Sequence, residues 1–158
     1  MRGLSFLAFA AGYRRVSFVF IEDGQLATWQ TSKRAALNPD EAASFAREFI
    51  DLLLPTFIVM EDTAAGTRKG VRTQALLKAI QDEAAQSNAQ LLPMKREKLF
   101  RTRFDEARYL ADKHPEFESK VPSRTFRDRE PHQMVLFEAL ALGHQAAQGG
   151  AMFLASKM

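Results

Sequence analysis

Two carboxylates stand where the surrounding residues are apolar. Glu61 closes the run Phe57-Ile58-Val59-Met60, and Glu138 lies inside the stretch from Met134 to Leu142. At helical spacing the neighbours of Glu138 are Met134, Val135, Ala141 and Leu142, so its carboxylate projects from the face that should be buried. Burying a lone carboxylate is costly, and such a group normally has a cation, a hydrogen bond or an edge position. Glu138 therefore reads either as a ligand or as a helix-edge acid that snorkels to solvent or pairs with an arginine. Glu61 ends a strand-like run at its carboxyl end, the edge where ligands collect in open α/β sheets. The plainer reading is a strand that ends in charge, shared with Asp62. Glu130 precedes the last helix, where the helix dipole favours an acid, so capping is its plainer role. Acids drawn from separate elements can together hold a hard divalent cation such as Mg²⁺, which prefers oxygen.

Other chemistries have less to work with. The chain has no cysteine, which removes disulfides, zinc–thiolate sites and thiol catalysis. His114, His132 and His144 have no metal-ligand spacing among themselves; surface or helix-end roles suit them, with a weak proton-transfer option for His132 between Glu130 and Glu138. Gly66 and Gly70 hint at a phosphate cradle before a helix. The Gly-Lys-Ser/Thr ending of a P-loop is absent.

The elements that must position these acids follow from patterning. Leu4–Ala10, Val16–Ile21 and Gln25–Gln30 read as strands, with turns at Gly12 and at Asp23-Gly24, the latter suited to a tight hairpin. Asn38-Pro39-Asp40-Glu41 opens a helix with Asn as N-cap and Pro at the first helical position. Its apolar stripe is Phe45, Phe49, Ile50, Leu52 and Leu53, and Pro55 stops it. Phe57–Met60, apolar throughout, reads as a strand buried on both faces. Lys69–Ala85 is a second helix with Val71, Ala75, Leu76, Ala79 and Ile80 on one face. Ala89–Leu92 is a strand ending at Pro93, and shorter helical pieces follow at 95–100 and 105–113. The stretch from His114 to Glu130 is expected to be largely loop. The last helix is expected over 131–145, with Gly149-Gly150 separating a short tail. Three strands, helix, strand, helix, strand and then helices imply one mixed sheet flanked by helices. One domain over residues 1–148, with a tail over 149–158, accounts for the whole chain.

A length of 158 residues, 46% hydrophobic and 26% charged, suits one globular domain with a sizeable core. Net charge is only +3, but the positive residues are clustered: Arg14-Arg15, Arg68-Lys69 with Arg72, Lys95-Arg96 with Lys98, Arg101 and Arg103, and Arg124, Arg127 and Arg129. Solvated loops explain part of this, and a polyanion partner explains the recurrence at element ends. Arg2 followed by Leu4–Phe9 and Ala8-Phe9-Ala10 imitates a short secretory signal. The run is brief, interrupted by Ser5 and followed at once by a second strand-like segment, so it reads as a strand. No stretch is long enough to span a membrane, and a cytoplasmic location is expected.

In succession these segments resemble the RuvC-like group of the ribonuclease H superfamily, the Holliday junction resolvases and their relatives. Leu7-Ala8-Phe9-Ala10-Ala11-Gly12 resembles that group's first strand and turn, where an Asp-Pro-Gly ending is usual. Phe18 to Trp29 resembles its second and third strands. Val59-Met60-Glu61-Asp62 resembles the strand carrying the second acid, and Glu130 to Leu142 resembles the closing helix. The likeness runs from about Leu4 to His144.

The resemblance implies an α/β ribonuclease H-like fold with a mixed five-stranded sheet, three antiparallel strands followed by β-α-β units. It assigns Glu61 and Glu138 as metal ligands and Glu130 as a nearby acid, and it places Ala10 at the position of a missing first-strand Asp. It also implies Mg²⁺ or Mn²⁺ as cofactor if the protein is active, branched or structured DNA as substrate, and a homodimer. The basic residues Arg14, Arg15, Arg68, Lys69, Arg72, Lys95, Arg96 and Lys98 would then hold phosphates. The chain departs from the pattern in Ala10, in Ala11 at the usual turn Pro, and in Glu138 where Asp is usual. It thus reads as an endonuclease scaffold, inactive as written unless Ala10 is an engineered change. The alternative is a catalytically inert nucleic-acid-binding or assembly protein that keeps the fold.

Overall fold

The computed structural model describes residues 3–12, 14–63, 67, 69–95, 102–120 and 133–157. Strands β1 (Ser5–Gly12), β2 (Arg15–Glu22) and β3 (Gln25–Ser32) form an antiparallel meander. Helix α1 (Pro39–Leu53), strand β4 (Phe57–Glu61), helix α2 (Val71–Gln86) and strand β5 (Gln90–Met94) follow. Helix α3 (Arg103–Lys113) and helix α4 (Gln133–Lys157) complete the order, with short 3₁₀ turns at Arg34–Ala36 and Pro115–Lys120. The sheet order is β3-β2-β1-β4-β5, with β4 parallel to both β1 and β5. This is the mixed five-stranded sheet that the sequence pattern implies.

Local chemistry explains most of the boundaries. Asp23 and Gly24 both adopt positive φ, 54° and 79°, which is what a two-residue hairpin matched to strand twist requires. Asn38 caps α1, its side chain accepting a hydrogen bond from the Glu41 backbone N–H at 2.9 Å. The helix ends at Leu54, left-handed at φ 48°, just ahead of Pro55. Gly12 is not itself the first turn. It is the last residue of β1, and the positive φ belongs to Arg14. A Cβ on Gly12 would lie 2.6 Å from Val135 Cγ2, so this glycine lets the strand end approach α4. Gly143 does the same for the helix, where a Cβ would stand 3.1 Å from both Ile21 and Val19.

Two cores cover the two faces of the sheet. Phe6, Ala8, Ala10, Val19, Ile21 and Val59 pack against α3 and α4, while Leu7, Phe9, Phe18, Ile58 and Met60 pack against α1 and α2. Every residue of β1 from Ser5 to Ala11 is buried, as befits the middle strand. Small Ala8 and Ala10 let α4 lie close, and α4 is buried without interruption from Met134 to Leu140.

Several boundaries differ from the patterned expectation. Helix α2 begins at Val71 rather than Lys69, and Val71 is 85% exposed; the buried face is Leu76, Leu77, Ile80 and Ala84. Leu52, expected on the α1 stripe, is exposed. Pro93 lies within β5, which is tolerable because β5 is an edge strand. Helix α4 runs through Gly149-Gly150 to Lys157 rather than stopping near 145. The expected helical piece at 95–100 and the loop beyond residue 120 fall outside the described residues, apart from Lys95. No helix among the described residues is long and apolar enough to cross a membrane.

Candidate functional site

The strands β1, β4 and β5 run parallel, so their carboxyl ends share one edge of the sheet. Alternation along β4 puts Glu61 on the same face as Phe57 and Val59, the face covered by α4. The β1–β4 register pairs Ala8 with Val59. Carried two residues further, it sets Ala10 beside Glu61 on that face. Glu138 comes down onto the same edge from α4, one turn after Val135, which touches Gly12. The sheet thus brings Glu61, Glu138 and position 10 to one side. Glu130, His132 and Gly66 lie outside the described residues.

Glu138 is almost fully buried, its side chain 4% exposed, and its partner is a cation from the chain itself. The Lys69 ammonium donates to Glu138 Oε1 at 2.9 Å and to Oε2 at 3.0 Å. It also donates to the Ala11 carbonyl at the end of β1, at 2.7 Å. These three acceptors match the three N–H donors of an ammonium. The backbone around Lys69 is held in turn: its N–H donates to Thr67 Oγ1, and Gln74 Nε2 donates to its carbonyl. The Lys69 side chain is only 12% exposed. An ammonium expected to reach for phosphates is instead turned inward.

The described residues do not fit a divalent metal. Ala10 is 2% exposed within an apolar cluster, and its side chain carries no oxygen. Among the described residues no three His, Asp or Glu side chains are grouped to hold an ion. The ammonium already neutralises Glu138. At about 4 Å and an effective dielectric near 20, two unit charges interact by roughly 4 kcal/mol, and a divalent ion beside the ammonium doubles that repulsion. The two acids were legible as candidates because apolar sequence surrounds them. Lys69 as the partner of Glu138 was not, although a buried carboxylate signals that some cation must answer it.

Glu61 is half-buried and borders a cleft of about 460 Å³ between the end of β4 and α2, lined also by Asp62, Gln74, Lys78 and Gln81. Of the basic residues, Arg14 is exposed in the β1–β2 turn, and Arg15 donates to the Arg14 carbonyl at 2.7 Å. Arg72 reaches the Leu37 carbonyl at 3.2 Å, tying the start of α2 to the 3₁₀ turn before α1. Lys95 is exposed just past β5. Arg68, Arg96 and Lys98 lie outside the described residues. His114 and His144 meet edge to face at 6.0 Å, a contact their sequence spacing does not announce. Burial pushes both imidazoles below their ordinary range, and for His144 the charges of His114 and Lys113 add to the effect.

Solved structures share this fold. RuvC from Thermus thermophilus aligns at a TM-score of 0.61 over 94% of this chain and 96% of that one, at 12% identity. This is the ribonuclease H-like fold. The same RuvC in complex with a Holliday junction substrate aligns equally well. The fowlpox virus resolvase, solved with substrate Holliday junction DNA, aligns at 0.57 and 10% identity over 92% of this chain and 98% of that one. At such identities the likeness is one of ribonuclease H-like architecture. No family model and no curated protein sequence matches the chain.

Proposed function

We propose that this chain is a resolvase-fold protein that binds branched or structured DNA and, as written, does not cut it. The observation that carries the non-cutting half is Ala10. The position beside Glu61, on the face of Glu138, offers buried methyl carbon where metal-assisted hydrolysis needs oxygen. The DNA half is supported by the solved neighbours, two of which hold Holliday junctions, and by basic residues at the carboxyl edge of the sheet. A homodimer belongs to the reading, since a two-fold assembly suits a four-way junction. So does a cytoplasmic location.

One observation favours a second reading. The resemblance makes residue 10 the position of a first-strand Asp, and Ala10 lies in the core on the α4-covered face of the sheet, the face to which alternation along β4 assigns Glu61. If Ala10 stands in for such an Asp, the parent is an endonuclease using Mg²⁺ or Mn²⁺. Cleavage of a labelled four-way junction in either ion, by this chain and by Ala10→Asp, tests both readings. The chain as written is expected to shift the junction in a gel and leave it intact. Cleavage gained by Ala10→Asp supports the nuclease parent, and silence from both supports the inert binder. Robust cleavage by the unmodified chain, lost in Glu61→Gln, overturns the proposal.

A further inference from the structure

We propose that Lys69 is a built-in counter-ion that takes the place of a divalent cation at the acid edge of the sheet. The argument is one of charge and coordination, and it holds whether or not the protein binds DNA. Glu138 is buried in an uninterrupted apolar stretch of α4, so its charge requires compensation from within the fold. A divalent ion at this edge would draw oxygens from the strand end and from α4. The Lys69 ammonium takes those oxygens: both of Glu138 and the carbonyl of Ala11, which follows the alanine at the missing-acid position. It joins β1, the segment before α2, and α4.

The position of the lysine is constructed rather than incidental. Thr67 and Gln74 anchor its backbone from either side, and the side chain is shielded from solvent. A flexible surface lysine would show neither feature. The loss of an acid at position 10 and the gain of an internal cation are thus complementary. One lowers the negative charge of the edge, and the other neutralises what remains on Glu138. The edge is thereby closed to Mg²⁺ and Mn²⁺, and the fold does not depend on either.

The test is metal dependence of binding and melting. Mn²⁺ titration followed by water-proton relaxation, and melting in EDTA against 5 mM Mn²⁺ (about 5 mM suffices to populate a weak site by mass action), are run on the intact chain, Lys69→Ala, Lys69→Arg and Glu138→Gln. The intact chain is expected to show no Mn²⁺ site that Glu138→Gln removes, and no change in melting between the two conditions. Lys69→Ala is expected to melt lower in EDTA and to recover in Mn²⁺, while Lys69→Arg remains indifferent to the ion. A stoichiometric Mn²⁺ site in the intact chain that Glu138→Gln abolishes overturns the proposal. So does a folded Lys69→Ala that neither loses stability nor responds to Mn²⁺. If Lys69→Ala does not fold, the intact-chain titration decides by itself, with no Glu138-dependent site supporting the proposal. Junction binding does not enter any of these readouts, so their outcome is separate from that of the DNA-binding reading.

Discussion

Single residues at the end of β1 decide how close the sheet and α4 can come. Gly12 is held to glycine by contact rather than by backbone angle, because a Cβ there would sit 2.6 Å from Val135 Cγ2. Gly12→Ala is therefore expected to destabilise the fold by about 1–3 kcal/mol, the range for overpacking a tight core. Urea denaturation measures it. Adding Val135→Ala should return part of the loss, since the methyl that clashes is then gone. If Gly12→Ala is neutral with Val135 intact, the approach is looser than the geometry states. At the same sheet edge, Lys69 and Glu138 illustrate a different dependence. Each is costly to bury alone, and each satisfies the other.

Between elements, the joint of α3 and α4 carries a pair of titratable groups. His114 caps the end of α3, its N–H donating to the Leu110 carbonyl at 2.8 Å, and its ring meets His144 of α4. Both rings have pKa values lowered from about 6.5, first by burial. The unfolded chain therefore binds more protons than the native one below that value, and the sign follows from linkage. Stability is full above pH 6.5 and falls as the pH drops below it, until the folded-state values are passed. Melting temperature is expected to decline on going from pH 7.5 to 5.5. His144→Gln should flatten that decline, since Gln keeps a polar group near Gln148 without a titrating ring. An unchanged pH slope in the variant would assign the dependence to other groups. Helix boundaries at this scale were well marked in sequence where a cap or a breaker stood. Asn38 and Pro55 bracket α1 as their types predict. Gly149-Gly150 did not end α4, because a glycine costs only about 1 kcal/mol inside a helix and does not by itself stop one.

At the scale of the whole molecule, the meander and the β-α-β units direct several basic residues to one edge. Arg14 and Arg15 stand at the turn after β1, Lys33 and Arg34 after β3, Arg72 at the start of α2 and Lys95 after β5. Because β1, β3, β4 and β5 run the same way, these are the carboxyl ends of the sheet. DNA binding at that edge should be weak in sequence preference and steep in salt, since each neutralised phosphate releases counterions. Affinities for a four-way junction and a linear duplex, measured at several salt concentrations, check this. Arg14→Ala with Arg15→Ala should lower affinity and reduce the salt slope by about 0.9 for each phosphate that is no longer neutralised. An unchanged slope would remove this turn from the interface, and no binding to either DNA at low salt would favour a protein-interaction role.

Taken by itself, the sequence determined the strand and helix order, the Asp23-Gly24 hairpin, the cap of α1 and the two acids out of place in apolar surroundings. These are local: period, turn chemistry and capping act over a few residues, and a buried charge is visible wherever its neighbours are apolar. The tertiary structure decided what answers Glu138. Lys69 lies 69 residues away in sequence and reaches it only because β1, the loop before α2, and α4 converge at one sheet edge. The same holds for the Gly12–Val135 approach and for the His114–His144 contact. Pairing across such separations depends on how the elements pack, and no periodicity within either partner encodes it.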